Sequence, residues 1–531
     1  NAQILDNKGP VKLNISNLSA GEVAISQEPL GMPKLNAPSH QFAAERKPAT
    51  NALFVVSTYG AVGDKSTDDT PAFQAALDAA GQAGGGTVYV PAGWYKIASH
   101  LNVPSGVELR GIWDVPHHTI SQGSVLLASE GNGNADGTPF ITLQQNSGVR
   151  GLTVWYPDQN YVAFPWTIRV GGANCWVKDV VLANSYQGID LATVPSPNHW
   201  VSYVGGSPLK TGLYVSNNTG EGWIENVQFN SHYWNRSTGY PKNVSPNPSS
   251  PATYQQANLD ALKFGSCFFE HQAGNFVFAA KRGLYFTNDG GPCKSDVFMH
   301  GTDAGSYAVS VESPAGSQLN FINSQLVLTA ATSVAYIHTG SDFAGTAGFF
   351  NTLEWGNQSG ATASINGTGT VSLQQVNTSA SGITLSGGVS SIHNVIMSQS
   401  LTPQFTIGPG IVSSTIFGNY APGGFQMSNA AGDKVEADYN YVRMKGAYGF
   451  ATGWESADPQ NQWNDMLYSS ENVAPLPGST RPRCGAAGFD GGQSLFVNGY
   501  DSSASTSSIY FKLFKMKVPV FASTLLSYSL N

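Results

Sequence analysis

The sequence predicts an all-β chain wound as a parallel β-solenoid, and three observations carry that reading. Short runs of alternating apolar residues recur at about one solenoid turn's length, a single amphipathic helix precedes them, and Gly, Asn and Ser separate them. Composition agrees. Of 531 residues, 60 are Gly and 29 Pro, 41% are hydrophobic, and only 11% are charged, against roughly 25% in an average globular domain. The apolar share can bury an extensive core, which excludes a mostly disordered chain. A net charge of −8 with no long basic run argues against a nucleic-acid partner, whose phosphates need Lys and Arg. No run of roughly 18 apolar residues offers a membrane span. A surface poor in charge and rich in Asn, Ser, Thr, Tyr and Trp suits hydroxylated ligands such as sugars.

Taken in order, residues 1–50 read as an extended N-terminal arm, because Pro10, Pro29, Pro33, Pro38 and Pro48 interrupt any long helix. The chain opens on Asn1 without a charged-then-apolar leader, which reads as a processed chain, and a secreted or extracellular location is expected. Thr70 suits a helix N-cap and Pro71 the first helical position. Phe73, Ala76, Leu77 and Ala80 then recur at helical spacing, so a cap helix is expected over 70–80. Gly84-Gly85-Gly86 turns into Thr87-Val88-Tyr89-Val90, the first clear strand.

From about 100 to 420 one loose phrase returns, as in Val149-Arg150-Gly151-Leu152-Thr153-Val154, Trp176 to Leu182, Trp223 to Phe229 and Ile392 to Ile396. With Asn323, Asn351, Gln375, Asn394 and Thr415 taken as equivalent, the steps are 28, 24, 19 and 21 residues. Irregular steps of this size are those of a parallel solenoid with variable loops. Two steps are larger, 40 residues from Gly111 to Gly151 and 47 from Asp179 to Asn226. They imply insertions, placed at 183–222 and 235–260, that wall one side of a groove. An array of β-sandwiches also has short strands and turns, but no cap helix followed by a repeated phrase. The phrase stops near 430, so the solenoid is assigned to 51–429, and 430–531 to a small C-terminal β domain or extension.

The segment Tyr59-Gly60-Ala61-Val62-Gly63-Asp64, Thr67-Asp68-Asp69-Thr70, then Gly84-Gly85-Gly86-Thr87-Val88-Tyr89-Val90-Pro91-Ala92-Gly93 resembles the opening of the pectate-lyase-like superfamily. It is similar to proteins labelled glycoside hydrolase family 28-related and to family 55 glucanases. The resemblance covers roughly 50–420 and implies a right-handed parallel β-helix. It does not transfer one chemistry, since the superfamily holds hydrolases, lyases, epimerases and tailspikes. The paired Asp and Gly-His-Gly of family 28 are missing from the coil region, and Trp223-Ile224-Glu225-Asn226 lacks the His of the pectate-lyase phrase.

In such a fold equivalent residues of successive coils stack about 4.8 Å apart, so polar groups beside the recurring strand line up along a groove. Glu270, Asp303, Asp158 and His232 are the candidate catalytic residues there. Carboxyls one coil apart match the roughly 5–5.5 Å of a retaining glycosidase, and two coils apart the roughly 6.5–9.5 Å of an inverting one. Glu270 follows the apolar Cys267-Phe268-Phe269, which would raise its pKa as a general acid requires; pairing with Lys263 or Arg282 would lower it instead. Trp155, Tyr156, Trp166, Tyr186, Tyr233 and Trp234 offer flat faces for sugar rings or pack beneath loops, and Arg282 is a candidate for substrate binding. Asp64, Asp68 and Asp69 fix turns and the helix start.

A polysaccharide-degrading enzyme follows as the expectation, preferably a glycoside hydrolase. A lyase on a uronate-containing glycan, or a non-catalytic glycan-binding protein of tailspike or adhesin type, stands as the alternative. Cys175, Cys267, Cys293 and Cys484 show no metal-binding spacing, so neither metal nor cofactor is expected. Cys267 and Cys293 pair or stay as buried thiols. The oligomeric state is left open.

Overall fold

The computed structural model describes residues 40–112, 123–237 and 250–440, apart from 304, 329, 357–360, 380, 398–403, 422–426 and 439. It also describes the parallel strand pair Ala2–Leu5 with Val23–Ser26 and the antiparallel pair Arg483–Gly485 with Ser494–Phe496. The remainder of the expected 430–531 unit lies outside the described residues.

The coil stack is a parallel β-solenoid, as expected. One sheet of 13 strands runs its whole length from Leu101–Val103 to Met427–Asn429, every neighbour parallel. The remaining strands complete each turn. One inward column shows why the sequence winds this way: Val88, Leu109, Val149, Val177, Val201 and Ile224 are in register on consecutive turns, and all are buried. Farther along, Phe321 stacks on Phe349 at 4.3 Å and 3°. Nearly every coil contributes an apolar side chain to this column, Gln272 being the polar exception between Ile224 and Val297, so burial accumulates coil by coil. The stack continues past 430, since Val435–Asp438 pairs with Ile411–Phe417.

From the strand Gly148–Trp155 onward, each turn has a corner made by one residue in the left-handed region. Gly151, Asp179, Tyr203, Asn226, Gly274, Met299, Asn323, Asn351, Gln375, Asn394 and Gly418 occupy it, all at φ between 52° and 71°. Asn and Gly tolerate that conformation best, which is why the repeated phrase is built around them. Two corrections follow. Gly418 rather than Thr415 is the fifth equivalent, because Thr415 pairs with Ser391 inside the strand. The 47-residue step holds no insertion: Tyr203 is a corner between Asp179 and Asn226, and 183–222 is regular coil with strands Gln187–Leu191, His199–Gly206 and Thr211–Val215. The other expected insertion, 235–260, is there: after Asn230, α2 (His232–Asn235) and α3 (Ser250–Asn258) precede the strand Asp260–Phe264. Met299, 54% exposed at a corner, carries a left-handed penalty of about 1–2 kcal/mol. Met299→Gly should therefore raise the urea midpoint, by about 1 kcal/mol of stability.

The helix α1 (Thr70–Gln82) buries Phe73, Ala76, Leu77 and Ala80 against the first coils. Its N-cap position is Asp69, not Thr70, and Asp69 directs its carboxylate away to the backbone N–H groups of Val62 (2.7 Å) and Gly63 (3.1 Å). Asp68 Oδ1 accepts from the Thr70 N–H and hydroxyl instead. Gly85 is required at its position: φ is +122°, and a Cβ there would meet the Gly106 carbonyl at 2.6 Å.

The last residues of the expected arm run back along the outside of the coils. The Ala43 N–H donates to Glu225 Oε1 (3.1 Å), and Arg46 Nη2 donates to the Asn198 carbonyl (3.0 Å) with its guanidinium 5.7 Å from the Trp223 ring. Glu45 pairs with Arg150 (2.6 Å) and Lys178 (3.1 Å), and the Ala49 N–H reaches the Gly106 carbonyl (2.9 Å). This strap joins the turn of Glu225 to that of Gly106.

Candidate functional site

Glu270 does not face a groove. It lies on the strand Cys267–Ala273 in register with Gly222 and Ser295, and its side chain is fully buried. His199 Nε2 lies 3.1 Å from Glu270 Oε2, and Asn218 Nδ2 donates to Oε1 at 2.6 Å. His199 Nδ1 sits 2.8 Å from the Ser196 carbonyl. Burial alone would push the imidazole down, but the Glu270 charge and hydrogen bond outweigh it and hold its pKa above the ordinary value. Gly222 makes room: a Cβ there would stand 2.2 Å from His199 Cε1 and 2.4 Å from Glu270 Oε2. Neither cation expected beside Glu270 is there. Lys263 pairs with Asp289 (3.1 Å), and Arg282 with Asp260. Glu354 is a second interior carboxyl, buried in the stack, and burial raises its pKa well above the usual range.

Asp303 ends the strand Gly301–Asp303, beyond the Met299 corner from the Glu270 column, in register with Phe278. His232, the first residue of α2, stacks on Phe278 with ring centroids 5.4 Å apart. The structure thus brings His232, Phe278 and Asp303 together and turns Glu270 away from them. Asp158 is half-buried in the loop after Tyr156.

Most of the proposed sugar platforms are packing. Trp155, Trp234 and Tyr233 are buried in a small apolar cluster with Val125, Leu127, Val181, Ala183 and Leu209, on which Tyr161 and Tyr254 close. Tyr156 is interior, its hydroxyl 3.0 Å from Thr167 Oγ1. Trp166 and Tyr186 are half-buried, and Trp166 heads an outer column of the long sheet.

That outer face holds a constellation that the sequence reading passed over, Arg282 excepted. Long-sheet strands are mostly five residues, with the first and fourth facing outward: Thr211-Gly212-Leu213-Tyr214-Val215, Asp260-Ala261-Leu262-Lys263-Phe264, Arg282-Gly283-Leu284-Tyr285-Phe286 and Ala335-Tyr336-Ile337-His338-Thr339. One column runs Thr211, Asp260, Arg282, Tyr307 and the other Tyr214, Lys263, Tyr285, Ser310, His338. Arg282 makes a two-pronged pair with Asp260 (2.6 and 2.7 Å), and its guanidinium lies 3.4 Å from the Tyr285 ring centroid. Burial would lower the guanidinium's pKa, but Asp260 raises it. Its Nη1 is 4.0 Å from Glu312 Oε1, too long for a hydrogen bond. The Tyr285 hydroxyl donates to Glu312 Oε2 (2.5 Å), and burial pushes that phenol up to about 12. Lys263 Nζ sits 4.2 Å from the Tyr214 ring centroid. The Tyr307 and His338 rings lie 4.9 Å apart, and burial holds the His338 imidazole below its ordinary pKa. Its Nδ1 is buried without a hydrogen-bond partner among the described residues. The α2–α3 insertion stands beside this face: Gln255 Nε2 donates to the Pro208 carbonyl (2.7 Å), and the Ser306 hydroxyl to that of Gln256 (3.4 Å).

Residues 53–230 match a family described as rhamnogalacturonase A/epimerase, pectate lyase-like. Short segments are similar to Azotobacter vinelandii enzymes. Mannuronan C5-epimerase AlgE1 is 57% identical over 47 residues, 9% of this chain and 3% of that protein. Alginate lyase 7 is 60% identical over 43 residues, 8% of this chain and 5% of that protein. The chain therefore spans a small fraction of these relatives' length. Among solved structures, the N-terminal fragment of bacteriophage phi29 gene product 12 is similar in fold. It is 15% identical, covering 73% of this chain and 70% of that one, with a TM-score of 0.50. The opening motif, the parallel coils and the family match agree, and the expected pectate-lyase-like relationship is borne out over residues 53–230.

Proposed function

We propose that the chain acts on an acidic polysaccharide by removing the C5 proton of a uronate, as a lyase or an epimerase, at the outer face of the long sheet. One observation carries this reading: an imidazole kept neutral, His338, lies beside Tyr307 on the face that bears Arg282. Short-range similarity to proteins named C5-epimerase and alginate lyase supports the same class. Glycoside hydrolysis through Glu270 loses its support, because that carboxylate is enclosed by His199 and Asn218.

In this mechanism the free N–H groups of Arg282 hold the uronate carboxylate and lower the cost of charge developing next to C5. His338 accepts the C5 proton as a neutral base. In lysis the C5–H electron pair forms the C4–C5 double bond, the C4–O bond breaks, and the leaving oxygen takes a proton from a tyrosine, Tyr285 or Tyr307. In epimerisation a proton returns to C5 from the opposite face. Trp166 heads the column that leads through Gln187, Thr211 and Asp260 to Arg282 and extends the binding face upstream.

Product analysis on a panel of polyuronates tests the class. Absorbance of an unsaturated uronate signifies lysis. Solvent deuterium at C5 without chain scission signifies epimerisation. New reducing ends alone would return the assignment to hydrolysis, and retention on the glycan without any product would make the chain a binding protein.

A further inference from the structure

The structure assigns Cys267 and Cys293 as a disulfide-forming pair that locks two consecutive coils together while the solenoid winds. The two residues are direct register partners on parallel neighbours, Cys267–Ala273 and Cys293–Phe298. Neighbouring strands lie about 4.7–4.9 Å apart, within the roughly 4.4–6.8 Å between Cα atoms that a disulfide spans. Both side chains are buried and turned inward, 4% and 0% exposed, each still a thiol, with Cys267 Sγ against the Gly265 carbonyl (3.5 Å) and Cys293 Sγ against that of Lys294 (3.9 Å). Cys175 occupies a different part of the stack, its Sγ directed at the Gln144 carbonyl (3.1 Å), so it does not compete.

Timing follows from burial. In the finished fold neither thiol meets an oxidant, and burial next to Glu270 raises both thiols' pKa, which suppresses the thiolate that exchange needs. The bond therefore forms as the second coil is laid on the first. Two S–H bonds break and one S–S bond forms. Two protons and two electrons pass to a disulfide oxidant such as oxidised glutathione, which leaves as two thiols. The enclosed loop contains Arg282, Tyr285 and Asp289, so the crosslink closes the turn on which the outer face is built. It also shrinks the unfolded ensemble, the usual route by which a disulfide stabilises.

The test uses the full chain, unfolded under reducing conditions and refolded in a mixture of oxidised and reduced glutathione, then alkylated and digested without reductant. We expect the peptides bearing Cys267 and Cys293 to be joined and the thiol count in denaturant to fall from four to two. Reductant should then lower the melting temperature of wild type and leave that of a Cys267→Ala/Cys293→Ala double variant unmoved. Four alkylated cysteines after refolding, or a linkage to Cys175 or Cys484 in place of this one, would overturn the assignment. The peptide map is made on wild type, so it decides even where the double variant folds poorly.

Discussion

His338→Gln should cut kcat/KM on the responsive polyuronate by roughly 10²–10⁴-fold, the usual worth of a positioned general base, with the fold intact. The side chain is of similar length and still polar, so circular dichroism and melting should hardly change. The loss should appear in kcat, because the imidazole acts on the C5 proton and not on the carboxylate. Arg282→Lys should instead act chiefly through KM: a lysine cannot reproduce the two-pronged pair with Asp260 or lie flat on Tyr285. The pH profile adds a sign. Burial holds His338 below its ordinary value of 6.5, so the base stays neutral to lower pH and the acid limb of kcat/KM should fall below 6.5. An acid limb above 6.5, or a His338→Gln variant with near wild-type kcat, removes His338 from the reaction.

Glu270→Ala should destabilise the chain by about 3–5 kcal/mol, the scale for removing one partner of a buried ion pair. It strands His199 and Asn218 inside the stack, which chemical denaturation would report. Glu270→Gln should be far milder. A glutamine accepts from Asn218 through its oxygen and donates through its amide to a neutral His199, which keeps its bond to the Ser196 carbonyl. Wild type and Glu270→Gln also differ in pH dependence. His199 is raised in the folded chain, so its pairing contributes fully below about 6.5, the unfolded value, and is lost as pH rises through the folded value. Wild type should therefore lose stability on alkalinisation relative to Glu270→Gln. Parallel stability curves for the two proteins would show that His199 carries no proton in the fold.

The coils were legible because their corners are. Asn323, Asn351 and Asn394 sit where the backbone must turn left-handed, and few side chains serve there as well as Asn or Gly. Where a corner is occupied by Tyr203, the same geometry leaves no signal, and two coils read as one long step. The direction of Glu270 was hidden for a different reason. A register shift between Cys267 and Glu270 breaks strict alternation, so both residues turn inward while Phe268 lies 57% exposed; counting by twos from the apolar residues sends the carboxylate out. In Thr211–Val215, Asp260–Phe264 and Arg282–Phe286 the outer face is written as a polar residue at positions one and four around a small and a branched one, whereas Ala335–Thr339 keeps the polar residue only at position four. That period is neither two nor 3.6, so no alternation rule selects Lys263, Tyr285 or His338. Their convergence needs the register, which depends on loop lengths that the chain does not announce.

The strap of residues 43–50 changes how such a molecule comes apart. A stack of coils that each touch only their neighbours behaves as a one-dimensional array and frays turn by turn from its ends. Here Ala43, Glu45 and Arg46 hold turns as far along as that of Glu225, while Ala49 holds that of Gly106. The intervening turns share one fastening, so the terminal turn cannot leave without also releasing the ion pairs of Arg150 and Lys178. Amide protons across this whole stretch should exchange as one block, with a common opening free energy in place of a gradient.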